Sequence, residues 1–135
     1  MRFLIFLLIA NISFAEIPYK LGLGSCLDQD YPTPAWTSLE KESINSFFFL
    51  GDNIYGDVPS GKLENIEKSY KKFNAQMPGW LRNTEKLFIW DDHDYGLNDA
   101  GGSYVYKRES QRLYNDAWNV DENDPRRSRE GIYFS

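Results

Sequence analysis

The sequence predicts an α/β fold built on a mainly parallel sheet, and two features carry this prediction. Short apolar runs of strand character alternate along the chain with longer segments in which apolar residues recur at helical spacing. Three groups of unusual polar residues also follow directly on three of the predicted strands. Because ligands bind outside the carboxyl ends of the strands in such sheets, we expect these groups to converge on one edge.

The N-terminal residues 1–15 are interpreted as a secretory signal peptide rather than as part of the fold. Arg2 supplies a positive charge, residues 3–10 form an apolar run, and the small residues around Ala15 fit a cleavage site. The run is too short to cross a membrane. We therefore expect residues 16–135 to be secreted or periplasmic, without a stable membrane span, and an uncut N-terminal anchor is the alternative.

The length and the charge of the chain narrow the class of protein further. A chain of 135 residues suggests one domain, and we expect a monomer. The formal net charge is −5 at pH 7, and the basic residues form no cluster along the sequence. An acidic chain of this kind argues against a nucleic-acid partner.

The first predicted strand and helix surround the only cysteine of the chain. The strand covers residues 17–23 and runs into a glycine-containing segment that ends at Cys26. Glycine lets the backbone come close to a ligand or to another segment of the chain. Thr33 is expected to cap a helix that has Pro34 at its first position and runs to about Ile44.

The middle of the chain supplies two further strands and the helices between them. Residues 46–50 form a short apolar run that is typical of a buried strand. Residues 62–75 carry apolar side chains at helical spacing, and residues 77–82 are predicted to form a short helical turn. The third strand is predicted at residues 86–90.

The last part of the chain is predicted to contain one more helix and the start of another strand. The helix covers residues 104–120, and its inward stripe consists of Leu113, Tyr114, Ala117 and Trp118. Residues 131–135 are expected to begin the strand.

The most informative stretch follows the third predicted strand. Asp91, Asp92 and Asp94 surround His93, which is the only histidine of the chain. Clustered carboxylates at the end of a buried strand are unfavourable unless a cation neutralises them. The pattern therefore predicts a metal or catalytic site, and a solvated polar loop is the alternative.

A second group of candidate ligands follows the second strand. Asp52 comes directly after a glycine and is the best candidate to bridge two metal ions in a dinuclear hydrolase. Tyr55 lies three residues later, and a packed aromatic side chain is its alternative role. Cys26 is a metal ligand, a buried inert thiol or one half of an intermolecular disulfide. A Cys26 thiolate together with a Tyr55 phenolate would favour iron.

The remaining candidates are oxygen ligands and the histidine. Asp91, Asp92 and Asn98 offer oxygen atoms that would also suit calcium. His93 either binds a metal through its neutral imidazole or donates a proton to a leaving oxygen, and a core histidine is the third option. Its acidic neighbours favour the charged form, which raises its pKa and fits the proton donor. Asp57 is expected to cap its loop.

These motifs resemble those of the PhoD-like alkaline phosphatases. The resemblance rests on Gly-Ser-Cys at 24–26, Gly-Asp-Asn-Ile-Tyr-Gly-Asp at 51–57 and Trp-Asp-Asp-His-Asp-Tyr-Gly at 90–96, with residues 98–99 and 129–133 in support. It implies an exported, metal-dependent phosphoric ester hydrolase that cleaves phosphomonoesters and phosphodiesters. It also implies a metallophosphoesterase-like sandwich of two sheets flanked by helices.

The resemblance further implies a role for each residue of the first metal site. Cys26, Asp52 and Tyr55 would hold iron, expected as Fe3+, with calcium nearby, and other divalent metals are compatible with the site. Asp52 would bridge to the second metal. His93 would donate the proton.

The second metal site implied by the resemblance would contain Asp92, which stands where the wider superfamily has the Asn of a Gly-Asn-His motif. Asp91 and Asn98 are its further candidate ligands. Asp94 departs from the family pattern, in which other members carry Glu after the His, so the calcium ligands stay open.

The resemblance extends over residues 16–135 and implies the N-terminal part of a longer metallophosphatase domain. Later segments of such proteins supply the second sheet and further His and Asp ligands. We therefore expect an incomplete sandwich, its N-terminal half, and little or no activity from the 135-residue chain alone. The competing hypothesis is a small exported protein that binds metal or phosphate without turnover, or a non-functional remnant of a gene.

Overall fold

The computed structural model describes residues 18–134, in which the chain adopts a mixed α/β fold. Its strands are β1 (Leu21–Gly24), β2 (Ser46–Leu50) and β3 (Glu85–Ile89). Its helices are α1 (Ala35–Glu40), α2 (Ile66–Gln76), α3 (Gly79–Arg82), α4 (Asp92–Tyr95), α5 (Lys107–Ala117) and a short 3-10 helix at Pro125–Arg127. The predicted signal peptide, residues 1–15, lies outside the described residues.

The three strands form one parallel sheet in the order β1-β2-β3. Phe48 in the central strand pairs with Leu23 on one side and with Leu87 on the other. The predicted α/β class with a parallel sheet is thereby confirmed. A single sheet does not establish the two-sheet sandwich, which stays a prediction.

One face of the sheet is covered by helices and holds the core. Phe47 and Phe49 are 1% and 0% exposed. The ring of Phe47 lies 5.5 Å from Trp36 in α1, and the ring of Phe49 lies 4.9 Å from Trp118 beside α5. Phe88 in β3 stacks on the same Trp118 at 4.5 Å. Aromatic packing between the strands and helices therefore fixes the orientation of the sheet and its carboxyl edge.

The opposite face of the sheet is open in the described part of the chain. Its exposed apolar side chains are Leu21, Leu23, Leu50 and Ile89, with exposed fractions between 41% and 59%. Successive side chains of a strand point to opposite faces, so the buried Phe49 is followed directly by an exposed residue.

The helices are shorter than the sequence predicts. The helix predicted up to Ile44 ends at Glu40. Its N-cap is Pro34 rather than Thr33, and no side chain caps it, while the backbone carbonyl of Thr33 accepts the Trp36 N–H. The helix predicted from residue 62 begins at Ile66. The helix predicted for 104–120 is limited to 107–117.

The strand predicted at 131–135 is wrong for the residues that the structure describes there. Residues 131–134 form no strand and pair with none of the strands in residues 18–134. Gly131 has φ +83, which breaks an extended run, and Ile132 is buried against the core at 3% exposure. The segment therefore closes over the core as an irregular stretch.

Candidate metal centre

The loop after β2 turns sharply and places Asp52 at the carboxyl edge of the sheet. Gly51 has φ +97 and Asp52 has φ +50, both in the left-handed region. A Cβ atom at Gly51 would lie 2.7 Å from the Cβ of Asp91, so only glycine fits between the two loops. A left-handed aspartate is uncommon and is a kind of strain that clusters at functional sites.

The loop after β1 is tied to this turn by backbone hydrogen bonds. The N–H of Cys26 donates to the carbonyl of Gly51 at 3.3 Å, and the N–H of Leu27 donates to the carbonyl of Asp52 at 2.8 Å. The Cys26 sulfur consequently lies 3.7 Å from Oδ2 of Asp52. The loops after β1 and β2 therefore lie side by side, as the sequence predicts.

The loop after β3 contains a one-turn helix, α4, that the sequence pattern does not predict. The Asp91 carboxylate accepts the N–H groups of Asp92 and Asp94, and the Asp94 carboxylate accepts the N–H of Asp91 at 3.2 Å. This reciprocal capping box begins the helix, and Gly96 at φ +113 ends it. The helix holds Asp92 and His93 at the same edge as the other loops.

Asp52, Asp92 and His93 form a cluster that could hold a metal ion. Each offers one ligand atom, these atoms lie within 4.8 Å of one another, and all three residues are partly buried. Oδ1 of Asp52 is buried without a hydrogen-bond partner. A buried carboxylate oxygen without a donor is unfavourable, and a bound cation would satisfy it. The donor set therefore fits a metal ion, although two carboxylates and an imidazole suit several metals.

His93 is held in place by a carboxylate from the loop after β2. Its Nδ1 lies 2.8 Å from Oδ1 of Asp57, and the two side chains are 16% and 22% exposed. Burial lowers the pKa of His93, but the bond to Asp57 and the charges of Asp52 and Asp92 outweigh it, so the net pKa is raised. The bond leaves Nε2 free to bind a metal or to donate a proton.

The two carboxylates of the cluster have pKa values shifted in opposite directions. Burial raises the pKa of Asp52, and the charges of Asp92 and Asp91 add to this effect while His93 opposes it. The N–H of Asp99 donates to Asp92 at 2.6 Å, and this bond lowers the pKa of Asp92. Asp92 is thus held as a carboxylate, whereas a cation at Asp52 would offset the unfavourable burial of its charge.

Cys26 and Tyr55, the other predicted iron ligands, contact Asp52 from outside the cluster of three. The Tyr55 hydroxyl lies 3.4 Å from Oδ2 of Asp52. Burial and a hydrogen bond with Cys26 raise the pKa of Tyr55, so its phenol stays protonated in the absence of a metal. Cys26 is an exposed free thiol, which excludes the buried-thiol alternative. Iron binding by this pair stays a prediction.

Two other predicted ligands use their side chains elsewhere. The carboxylate of Asp91 caps α4, and the side-chain amide of Asn98 donates to Oδ2 of Asp99 at 2.7 Å. Both residues are exposed, and Asp91 does not belong to the cluster. The role of Asp91 and Asn98 as calcium ligands therefore stays a prediction.

Asp57 and Asp94 take part in the site in ways that the sequence does not predict. The sequence assigns Asp57 to a loop cap, whereas the structure pairs it with His93. Asp94 is fully buried, and burial raises its pKa to about 7 although its hydrogen bonds oppose this shift. The sequence does indicate that Asp57 lies near the site, because it follows Asp52 in the same loop. The sequence gives no indication that Asp94 is buried while Asp91 is exposed.

A cavity of about 250 Å3 lies beside the cluster. Its lining residues include Trp90, Asp91, Asp92, Tyr95 and Gly102. The cavity is open to solvent, and Asp92 is the residue that it shares with the cluster.

Comparisons with known proteins do not assign the chain to a family. No protein-family model, no curated protein and no solved structure matches it. Within residues 18–134, none of the helices combines the length and the apolar character that crossing a membrane requires. A function for this chain is therefore argued from its own residues.

Proposed function

We propose that this chain carries the metal centre of an exported, metal-dependent phosphoric ester hydrolase of the alkaline phosphatase D type. Its substrates are phosphomonoesters and phosphodiesters. The observation that supports this proposal best is the cluster of Asp52, Asp92 and His93 at the carboxyl edge of the sheet. These three residues come from two of the motifs that resemble the PhoD-like family.

Iron and calcium are the proposed metals, and other divalent cations are compatible with the oxygen and nitrogen ligands. Cys26, Asp52 and Tyr55 would hold the iron, because both Cys26 and Tyr55 already contact the Asp52 carboxylate. Asp92 would hold the second ion together with Asp52. Bound metals of this kind activate a water molecule and neutralise phosphoryl oxygens.

His93 is the proposed proton donor to the leaving oxygen. The bond to Asp57 orients the imidazole and raises its pKa, so that more of it is protonated near neutral pH. With Nδ1 engaged by Asp57, the Nε2–H group is the one that donates. The cavity beside Asp92 leaves room for the ester group.

A second candidate function is the binding of a metal ion or phosphate without turnover. One observation favours it: residues 18–134 contain a single three-residue group of His, Cys, Asp or Glu that could hold a metal. A two-metal hydrolase needs ligands for two ions. Measuring hydrolysis together with the number of bound metal ions therefore distinguishes the hydrolase from the binding protein.

The test uses the purified chain, stripped of metal with a chelator and reloaded with iron, calcium or manganese. Three quantities are measured: metal binding, binding of inorganic phosphate to loaded and metal-free protein, and hydrolysis of bis-p-nitrophenyl phosphate. The control is Asp121→Asn, which removes one negative charge from the loop after α5 but keeps the oxygen that accepts the Asn123 N–H.

A hydrolase gives metal-dependent hydrolysis, however slow, that Asp52→Asn abolishes and Asp121→Asn leaves unchanged. Metal-dependent phosphate binding with one metal ion per chain and without any hydrolysis favours the second candidate. A wild-type chain that binds neither metal nor phosphate contradicts both.

A further inference from the structure

Asp94 is the one fully buried carboxylate within residues 18–134, and its two oxygens accept four hydrogen bonds. Oδ2 accepts the backbone N–H and the side-chain amide of Asn53, both at 3.1 Å, and the N–H of Asp91 at 3.2 Å. Oδ1 accepts the hydroxyl of Tyr70 in α2 at 2.9 Å. A carboxylate is tolerated at this depth only where donors satisfy it.

Three of these four bonds come from the two loops that carry the cluster. Asn53 directly follows Asp52, and its side-chain amide also reaches a carbonyl at the end of β3 at 2.9 Å. Asp91 directly precedes Asp92 and caps α4. One carboxylate, that of Asp94, therefore connects the backbone beside Asp52 with the backbone beside Asp92.

We propose that Asp94 is a positioning residue that holds Asp52 and Asp92 at the separation that a bound metal ion requires. This inference rests on the proposed metal centre. Asp94 lies outside the cluster and acts through its bonds to Asn53 and Asp91. Hydrogen bonds from residues that do not bind the metal themselves orient the metal ligands, and losing such bonds typically lowers the metal affinity by roughly 10–100-fold.

A purely structural role for Asp94 is the competing explanation, and Tyr70 provides the control. Tyr70→Phe removes the bond to Asp94 from the α2 side and leaves the bonds from Asn53 and Asp91 in place. It lowers the stability of the fold without changing the connection between the two loops. Asn53→Ala is the second variant, and it is used if Asp94→Ala does not fold. It removes the side-chain bond from Asn53 to Asp94 together with the one to the carbonyl at the end of β3.

The experiment measures Co2+ affinity by calorimetry, the visible absorption spectrum of the bound Co2+, and the thermal unfolding midpoint. We expect Asp94→Ala to bind Co2+ roughly 10–100-fold more weakly than wild type and with an altered spectrum. Asn53→Ala changes affinity and spectrum in the same direction. Tyr70→Phe keeps the wild-type affinity and spectrum although its unfolding midpoint falls.

Wild-type Co2+ affinity and spectrum in the folded Asp94→Ala and Asn53→Ala proteins overturn the positioning role and leave the metal centre standing. If Tyr70→Phe loses as much Co2+ affinity as Asp94→Ala, the positioning role is also overturned, because the loss of affinity then reflects the lower stability of the fold. A wild-type chain that binds no Co2+ removes the metal centre itself, and the positioning role with it.

Discussion

The imidazole Nδ1 of His93 lies 2.8 Å from the carboxylate Oδ1 of Asp57, and this pair joins the loop after β2 to α4. The two residues are 36 positions apart in the sequence. Because the chain contains one histidine, a single NMR resonance reports the state of the pair.

We expect the pKa of His93 in the folded, metal-free protein to lie above its ordinary value of 6.5. Asp57→Asn removes the charge that raises this pKa, so the pKa of His93 falls in that variant, whereas Asp121→Asn leaves it unchanged. Proton NMR titration of the imidazole makes the measurement. A wild-type pKa at or below 6.5 would contradict the assignment of the pair.

The same pair is expected to make the stability of the fold depend on pH. Since the folded-state pKa of His93 is raised above the unfolded value, the contribution of the pair is fully present below pH 6.5. It is lost as the pH rises through the folded-state pKa. Urea unfolding at several pH values therefore shows a larger difference between wild type and Asp57→Asn at low pH, and a difference that grows with pH argues against this mechanism.

Gly51→Ala tests the turn that places Asp52. A methyl group there would meet the Cβ of Asp91 at 2.7 Å, and the backbone has φ +97, so we expect a loss of about 1–3 kcal/mol in the free energy of unfolding. Gly101→Ala, with no atom within 4 Å of the added Cβ, should stay within about 0.5 kcal/mol of wild type. Chemical denaturation measures the free energy of unfolding of both variants. Equal losses would contradict the predicted steric clash at position 51.

The one-sided burial of the sheet is tested at two neighbouring positions of β2. Phe49 is 0% exposed against the helices, so Phe49→Ala should lower the free energy of unfolding by about 3–5 kcal/mol. Leu50 is 42% exposed on the open face, and Leu50→Ala should lower it by about 1 kcal/mol or less. Similar losses at both positions, measured by urea denaturation, would mean that the open face is buried in solution.

The reactivity of the Cys26 thiol tests its predicted part in metal binding. The thiol is exposed, so a disulfide reagent can reach it in metal-free protein, and its sulfur lies 3.7 Å from Oδ2 of Asp52, where a bound metal would cover it. Iron bound at Asp52 should slow this reaction in wild type but not in Asp52→Asn. A rate that metal does not change would remove Cys26 from the ligand set.

Much of the sheet could be predicted from the sequence, because strand periodicity and apolar runs are local signals. The predicted bounds of β2 match the structure residue for residue, and β3 differs by one residue at each end. The helix ends were less predictable, since they depend on hydrogen bonds such as the one from Trp36 N–H to the Thr33 carbonyl. The helix α4 escaped prediction because its capping residues, Asp91 and Asp94, also read as a metal-ligand pattern.

The convergence of the loops could be predicted from the rule that parallel strands place their carboxyl ends at one edge. The rule cannot say in which direction each side chain points, so it does not separate Asp92, which joins the cluster, from Asp91, which caps a helix. The pairing of Asp57 with His93 depends on a contact between distant segments, which no local pattern encodes.

The presence of a metal ion at Asp52 is tested most directly by anomalous diffraction from crystals of this chain soaked in an iron or manganese salt. We predict an anomalous peak at bonding distance from the Asp52 carboxylate, beside Cys26 and Tyr55 for iron or beside Asp92 for manganese, and no peak there in Asp52→Asn crystals. A wild-type map without a peak at Asp52, or a peak that survives Asp52→Asn, would contradict the proposed metal centre.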